Sequence, residues 1–93
     1  MEDILYYSSL FDYYGGLLSL KERTYFKDYY FENLSLQEIA DNNDISREAV
    51  RKSLKSSKEK MIYYESVLNL LKKKDKIKNL ISEDEYKKIE KYI

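Results

Sequence analysis

Residues 34–58 read LSLQEIADNNDISREAVRKSLKSSK, and their spacing predicts two short amphipathic helices joined by a polar turn. The positions expected to face inward are apolar or small, and they are Leu36, Ile39, Ala40, Ile45, Val50 and Leu54. Ala40 is small enough for the two helices to touch, and Ile45 fills the corner between them. The stretch therefore predicts a helix-turn-helix, a motif with which many proteins bind nucleic acid.

Polar residues set the bounds of these two helices. Ser35 and Glu38 form an S-x-x-E capping box, so the first helix should begin at Leu36. Residues 42–44 are Asn-Asn-Asp, whose short polar side chains compete with helical hydrogen bonds and tolerate left-handed backbone angles. We therefore expect the first helix to end there and Ser46 to cap the second.

The second helix carries a stripe of cations on one face. The stripe consists of Arg47, Arg51, Lys55 and Lys58, with Lys52 beside it. Lys and Arg on such a face can neutralise phosphates while the first turns of the helix approach base edges in a major groove. The alternative is an ordinary solvated helix face, and the sequence leaves both interpretations open.

Composition narrows the class of protein. The 93 residues suffice for one domain, and the absence of Cys and His excludes disulfides, thiolate nucleophiles and the usual acid or base at neutral pH. No Lys, Tyr or carboxylate pair stands apart as a catalytic site, so we predict a non-enzyme without metal or cofactor. With no Pro and one Gly pair, at positions 15 and 16, we predict an all-α fold.

The formal net charge of zero conceals a polarised chain. Residues 1–45 hold nine acids and three bases, a net charge of −6, whereas residues 46–93 hold fourteen bases and eight acids, a net charge of +6. A basic half can attract a polyanion and an acidic half can repel it or meet a basic protein. Zero net charge therefore does not exclude nucleic-acid binding.

The first third of the chain predicts two helices. The first runs from Glu2 to Tyr14 and ends at the Gly pair, and the second follows a Ser19/Glu22 capping box and spans Leu20 to Phe31. The positions expected to face inward are Ile4, Tyr7, Leu10, Phe11, Tyr14, Phe26, Tyr29 and Tyr30. Seven of the eleven tyrosines precede Phe31, and their helical spacing in an acidic segment favours core packing over a surface for stacking bases.

The apolar pattern of the basic helix continues beyond the motif. Val50, Leu54, Ser57, Met61, Tyr64, Leu68 and Leu71 alternate in steps of four and three. The part from Met61 to Leu71 needs an apolar partner, which is the N-terminal helix, the C-terminal helix or a second subunit. We assign Met61, Tyr64, Leu68 and Leu71 to a homodimer interface.

The remaining segments predict a hinge and a short helix. Residues 71–79, LKKKDKIKN, are interpreted as a basic hinge, either a solvated linker or a contact for phosphates or an acidic protein groove. A third capping box, Ser82 and Glu85, precedes a helix that buries Tyr86, Ile89 and Ile93. The domain prediction is a helix-turn-helix domain over 1–74 and a C-terminal helical appendage over 75–93.

The first residues, MEDILYYSSLF, carry acids where a signal peptide needs a basic start. No apolar run approaches the roughly 20 residues that cross a bilayer. We therefore expect a cytoplasmic protein without membrane insertion.

Several segments of the chain resemble known bacterial proteins. LSLKERTYFKDYYFENLSLQEIADNNDISREAVRKSLK resembles region 4 of bacterial sigma factors, and the order of FDYYGGLLSLKERTYFKDYYFENLSLQEIA, ISREAV and KEKMIYYESVLNLLKK resembles the YlxM family of small bacterial helix-turn-helix proteins. The second resemblance covers roughly residues 4–74. It implies an all-helical, sigma-region-4-like domain, often dimeric, with a regulatory role tied to the signal recognition particle pathway.

The match also marks the start of the recognition helix. Ser46, Arg47, Glu48, Arg51 and Lys52 occupy it, so the candidate nucleic-acid-binding set is Ser46, Arg47, Glu48, Arg51, Lys52, Lys55 and Lys58. Two acids depart from the family pattern. Glu48 stands where Gln is common, and Asp44 stands where many such turns have Gly. A carboxylate repels phosphate and can accept a hydrogen bond from cytosine, whereas Gln can bond adenine.

Two hypotheses follow from the sequence. One is a regulator that binds DNA or RNA through the basic helix. The other is an adaptor that contacts the protein or RNA of the signal recognition particle through the basic helix and the Lys-rich hinge, without sequence-specific DNA binding.

Overall fold

A computed structural model describes residues 3–93 as an assembly of helices. Its elements are α1 (Ile4–Tyr14), a 3₁₀ turn (Gly15–Leu17), α2 (Leu20–Tyr30), α3 (Leu36–Asn43), α4 (Arg47–Leu68), α5 (Leu70–Leu80), α6 (Glu83–Ile89) and a 3₁₀ turn (Glu90–Tyr92). No strand occurs among these described residues. The prediction of an all-α fold with a helix-turn-helix is therefore confirmed.

Three helices begin where serine and glutamate lie three residues apart. In each capping box the serine hydroxyl accepts the backbone N–H of the glutamate, and the glutamate carboxylate accepts the backbone N–H of the serine. The three boxes are Ser19 with Glu22, Ser35 with Glu38, and Ser82 with Glu85. All three predicted starts are confirmed.

Helix α4 lies at the centre of the fold, in contact with α1, α2, α3 and α5. The side chains buried around it are Leu10, Tyr14, Leu18, Tyr25, Phe26, Ile39, Ala40, Val50, Leu54 and Met61. An aromatic stack joins α1 to α2, because the Phe11 and Phe26 rings lie parallel with centroids 4.6 Å apart. Burial of this one cluster positions every helix of the motif.

The turn of the helix-turn-helix follows the sequence prediction closely. Helix α3 ends at Asn43, and Asp44 adopts the left-handed conformation with φ of 54°. Ile45 is half-buried against the core, and the Ser46 hydroxyl accepts the backbone N–H of Ala49 at 3.0 Å. The polar turn and the cap together fix the direction in which α4 leaves α3.

Gly15 ends α1 for a packing reason. A Cβ atom at this position would lie 2.8 to 2.9 Å from the ring of Phe11, closer than real side chains approach. Gly16 has open space around it. The first glycine therefore permits the aromatic contact, and the second does not share that role.

The predicted basic hinge over residues 71–79 is wrong, because this segment is part of helix α5. Lys and Leu are good helix formers, and the segment contains no Pro or Gly to interrupt a helix. Helix α4 ends at Leu68, and Asn69 takes the left-handed conformation with φ of 55°. Leu71 consequently lies on α5 and not on the extended recognition helix, and the predicted domain boundary between residues 74 and 75 falls inside α5.

The N-terminal helices differ from the prediction in detail. Glu2 lies outside the described residues, Asp3 caps α1 by accepting the backbone N–H of Tyr6, and Ile4 is 54% exposed instead of facing inward. Helix α2 ends one residue before Phe31 and additionally buries Tyr25, which the sequence interpretation did not place inside. Tyr25 belongs to the buried cluster that also contains Ile39 and Ala40 of α3, and α2 contacts α3 as well as α4.

The C-terminal helix buries less than expected. Tyr86 is buried, whereas Ile89 and Ile93 are only half-buried.

Among the described residues, no helix is both long and apolar enough to cross a membrane.

Candidate nucleic-acid interface

The first half of α4 is held by the face opposite to its cations. Val50 is fully buried and Leu54 is 5% exposed, both packed in the cluster that includes Ile39 and Ala40 of α3. Helix α4 packs against α2 as well as against α3. The N-terminal turns of α4 are therefore rigidly positioned, with Ser46 exposed at the tip.

The structure brings most of the predicted cations together on the outside of α4. Arg47, Arg51, Lys52 and Lys55 are exposed, and they occupy the first three turns after the cap. The N-terminus of a helix carries a partial positive charge and backbone N–H groups without helical partners, which adds to the attraction for phosphate. This end of α4 is the most cationic part of the helix-turn-helix.

Glu48 changes the electrostatics of the tip. Its carboxylate forms a bidentate ion pair with the Arg51 guanidinium, with 2.9 Å between Nε of Arg51 and Oε2 of Glu48. The hydrogen bonds from Arg51 hold the pKa of the Glu48 carboxyl below its ordinary value, and the carboxylate raises the pKa of Arg51. Arg51 is therefore not directed freely outward as the stripe alone would suggest, since it shares its charge with a neighbour on the same helix.

Lys58 is placed differently from the other cations of the stripe. It is half-buried, and its ammonium lies 5.3 Å from the ring centroid of Tyr7 and 6.0 Å from that of Tyr30. Such cation–π contacts anchor a lysine against the protein surface. The basic face of α4 thus merges at Lys58 with an aromatic surface formed by α1 and α2.

Two grooves share Tyr29 in their linings. The first, of about 340 Å³, is lined by Tyr29, Tyr30, Leu36, Arg51, Leu54, Lys55 and Lys58. The second, of about 380 Å³, is lined by Tyr29, Ser35, Leu36, Gln37 and Arg47. We call these the Lys55 groove and the Arg47 groove. They connect the cations of α4 with the end of α2 and the start of α3.

Lys60 marks the end of the cationic face. Its ammonium contacts both carboxylate oxygens of Glu22 on α2, at 2.8 and 3.0 Å. Burial raises the pKa of the Glu22 carboxyl, but the hydrogen bonds from Lys60 and from the Ser19 cap outweigh it and leave the pKa below its ordinary value. Lys60 therefore joins α2 and α4, and its charge is compensated by Glu22.

The four residues predicted for a subunit interface differ in how far the single chain buries them. Met61 is fully buried in the core of the single chain and offers no surface to a second subunit, so its assignment is corrected. Tyr64 and Leu71 are half-buried against the same core, and Leu68 is 43% exposed. Of the partners considered for this seam, the N-terminal helix supplies the contact, because α1 packs on α4 and α5.

A network around Glu65 joins α4 to α5. The Glu65 carboxylate accepts the Tyr14 hydroxyl at 2.6 Å and the backbone N–H groups of Leu71 and Lys72 at 3.0 and 3.1 Å. Burial raises the pKa of the Glu65 carboxyl, but these hydrogen bonds outweigh it and hold the pKa below its ordinary value. Burial and the bond to Glu65 raise the pKa of Tyr14 to about 12. Glu65 thereby caps α5 from the preceding helix.

The lysines of α5 form a second basic surface. Lys72, Lys73, Lys76 and Lys78 are exposed, whereas Lys74 is half-buried with its ammonium 5.8 Å from the centroid of the Tyr13 ring. This helix buries no residue.

Among residues 3–93, no group of three or more carboxylates is arranged to hold a metal ion.

Comparison with known proteins gives the same type of domain. Residues 1–92 match the family described as "Putative helix-turn-helix protein, YlxM / p13 like". The chain belongs to this family. Three relatives, each named UPF0122 protein, come from Bacillus thuringiensis (strain Al Hakam), Bacillus cereus (strain Q1) and Bacillus anthracis (strain A0248). Each is 43% identical to the chain over 84 residues, which cover 83% of the chain and 76% of the relative.

Membership confirms the resemblance to YlxM proteins that the order of sequence segments indicated. The family is described as one of helix-turn-helix proteins.

Sequence reasoning did not foresee which residues complete this surface. Tyr29 and Tyr30 were expected to face inward, and both are half-buried against the core, but their place in the groove linings was not predicted. Gln37 carried no signal of its own. Tyr29 borders both grooves only because α2 and α4 pack side by side, and local spacing gives no measure of that contact. The role of Glu65 could not be predicted from the sequence either, because its partner Tyr14 lies 51 positions away in the chain.

Proposed function

We propose that this protein is a regulatory helix-turn-helix protein that binds nucleic acid through the first three turns of α4. The supporting observation is the cluster of exposed cations that follows the Ser46 cap, opposite the buried Val50 and Leu54. Phosphates would be neutralised by the exposed cations Arg47, Arg51, Lys52 and Lys55, and by Lys58 at the edge of the cluster. Ser46 and Glu48 would lie nearest the base edges.

The YlxM resemblance adds the cellular context of this proposal. It ties the role to the signal recognition particle pathway, so the RNA or protein of that particle is the partner we propose by family resemblance. A cytoplasmic location and action by binding, without catalysis or a cofactor, are parts of the same proposal.

A paired substitution tests the proposed surface. Arg51→Ala with Lys55→Ala removes two cations from α4, and Lys72→Ala with Lys76→Ala removes two from α5. We expect the first pair to weaken binding to DNA or RNA by about tenfold or more and to flatten the salt dependence by about 0.9 in slope for each lost phosphate contact. The second pair should change both quantities much less.

The result that overturns this proposal is specific. If the α4 pair leaves binding to every DNA and RNA unchanged while its thermal unfolding matches the wild type, α4 is not the nucleic-acid surface.

The adaptor hypothesis is the second candidate, and the Glu48–Arg51 ion pair supports it. Compensation of Arg51 lowers the positive potential where a DNA-reading helix needs it most. Under this hypothesis the exposed lysines of α5 share the contact with an acidic protein groove or RNA. Affinity capture with and without nuclease separates the two functions. Recovery of signal recognition particle protein after nuclease favours the adaptor, and recovery of DNA fragments alone favours the regulator.

Exposed apolar side chains on the second half of α4 support the proposal of a homodimer. Ile62, Tyr63, Val67 and Leu68 are between 42% and 65% exposed. Exposed apolar side chains gathered on one segment often mark a protein–protein contact. Sedimentation at micromolar concentration tests this, and a single monomeric species would refute it.

A further inference from the structure

Tyr29 lines a surface that contains several cations, although the sequence segment to which it belongs, residues 1–45, has a net charge of −6. It shares the lining of the Lys55 groove with Arg51, Lys55 and Lys58, and the lining of the Arg47 groove with Arg47. The cations come from α4 and the tyrosine from α2, at least 18 positions earlier in the chain. Folding therefore builds a mixed aromatic and cationic surface that neither helix has alone.

The neighbouring rings hold this surface in place. Tyr30 packs on the buried Phe26 with ring centroids 4.5 Å apart, and Tyr29 meets Tyr30 edge to face at 4.9 Å. Tyr30 is thus fixed by the core, and Tyr29 is fixed by Tyr30. A half-buried ring held in this way can receive a flat partner without losing much conformational freedom.

The aromatic and cationic side chains of the Lys55 groove suit unpaired nucleotides better than paired ones. In a duplex the bases are stacked on each other and present only their edges, so a ring beside the recognition helix gains little. An unpaired base has an open face that stacks on an aromatic side chain while nearby Lys and Arg bind its phosphates. The Lys55 groove has about 340 Å³, the lower end of the size range of small-molecule sites.

We propose that Tyr29 and the Lys55 groove bind an unpaired nucleotide, so that the protein recognises single-stranded or looped nucleic acid in preference to a continuous duplex. Arg51, Lys55 and Lys58 bind the flanking phosphates, and the Tyr29 ring stacks on the base. This inference rests on the proposed function, because it specifies which form of nucleic acid the α4 surface takes.

The test compares three nucleic acids of one sequence across matched variants. Fluorescence anisotropy measures binding of an unstructured RNA of roughly 12 nucleotides, the single-stranded DNA of the same sequence, and the corresponding duplex. The variants are Tyr29→Leu and Tyr29→Phe, with Tyr92→Leu as the control. Tyr92 is a 75% exposed tyrosine of the C-terminal 3₁₀ turn that lines neither groove.

We expect Tyr29→Leu to weaken binding of the unpaired strands roughly 5- to 100-fold while the slope of affinity against salt stays constant, because stacking is lost and phosphate contacts remain. Tyr29→Phe keeps a ring and should keep most of the affinity. Tyr92→Leu should change nothing. Loss with RNA alone, and not with single-stranded DNA, identifies RNA as the source of the unpaired nucleotide.

Three results overturn the inference, and they differ from failure of the proposed function. Equal loss of duplex and single-strand binding in Tyr29→Leu, an unchanged affinity in that variant, or wild-type preference for duplex each refutes stacking at Tyr29 while leaving α4 as a binding surface. Failure of the wild type to bind any nucleic acid refutes the proposed function itself. Matching thermal unfolding of Tyr29→Leu and Tyr29→Phe shows that the comparison concerns folded protein.

Discussion

Helices α4 and α5 follow one another in the chain and both are rich in lysine, but they are held in different ways. Helix α4 buries Val50, Leu54, Ser57 and Met61, whereas α5 buries no residue. The Ser46 hydroxyl caps α4, while α5 depends on Glu65 of the preceding helix for its cap. Burial of the opposite face fixes the orientation of α4, so its row of cations forms a defined surface. The row of cations on α5 has no such buried face opposite to it and is held less firmly.

The largest effect should come from removing a buried side chain of α4. Leu54→Ala deletes a side chain that is 5% exposed, and we expect it to lower the free energy of unfolding by about 2–5 kcal/mol. Leu80→Ala is the matched change on α5, where the side chain is 72% exposed, and it should cost less than about 0.5 kcal/mol. Urea denaturation measures both. Equal losses would mean that α5 is held as firmly as α4.

The next effect concerns the joint between the helices. Glu65→Gln removes the carboxylate that binds Tyr14 and two backbone N–H groups of α5, and should cost about 1–3 kcal/mol at neutral pH. Amide hydrogen exchange should quicken at Leu71 and Lys72. The control is Glu59→Gln, an exposed carboxylate on α4. Unchanged exchange in α5 would show that Glu65 does not hold its first turn.

The same joint predicts an acid dependence of stability. Because the pKa of Glu65 is lowered in the folded protein, its stabilisation is present above the ordinary carboxyl pKa of 4.5 and is lost as the pH falls below that value through the lowered folded pKa. Glu22 contributes with the same sign. The free energy of unfolding should therefore fall less steeply with acid in Glu65→Gln than in the wild type. Parallel curves would contradict this assignment.

A smaller change should sharpen the nucleic-acid surface of α4. Glu48→Gln releases Arg51 from its ion pair and removes a negative charge at the tip, so we expect affinity for nucleic acid to rise several-fold and the salt slope to steepen by up to about 0.9. Glu59→Gln removes the same charge further along the helix and should have less effect. Weaker binding in Glu48→Gln would indicate that the carboxylate itself contacts the nucleic acid, as with cytosine.

The smallest effects concern the two left-handed residues that bound α4. Asp44 has φ of 54° and Asn69 has φ of 55°, a region in which glycine is not strained. Asp44→Gly and Asn69→Gly should each change stability by a few tenths of a kcal/mol, whereas Ala at either position should cost about 1 kcal/mol. Thermal unfolding measures the difference. A tolerated Ala at Asn69 alone would mean that the joint relaxes while the helix-turn-helix does not.

Local chemistry explains which predictions succeeded. Each capping box depends on two residues three positions apart, and the inner faces of α3 and α4 depend on spacings of three and four, so the sequence contains the full information. The hinge prediction failed for a related reason. Charge suggested a linker, but neither Gly nor Pro was present to prevent helix formation over residues 71–79.

The predictions for the candidate site also succeeded where they depended on residues close together in the sequence. Spacing along one helix was enough to find the exposed cations of α4, because they are neighbours in sequence. It could not reveal that Lys60 pairs with Glu22, that Met61 is buried by the chain itself, or that Tyr29 and Lys55 line one groove. Each of these depends on which helix packs against which, and that packing is set by the whole core.

The sequence by itself determined that the chain is helical, where most of its helices begin, and that a basic face follows Ser46, because capping and periodicity act over three or four residues. Only the tertiary structure decided which cations remain exposed, where α4 stops and α5 starts, and which tyrosines packed against the core also border the cationic grooves. Those properties arise from contacts between residues far apart in the chain, and they are fixed only when burial of one apolar cluster positions the helices together.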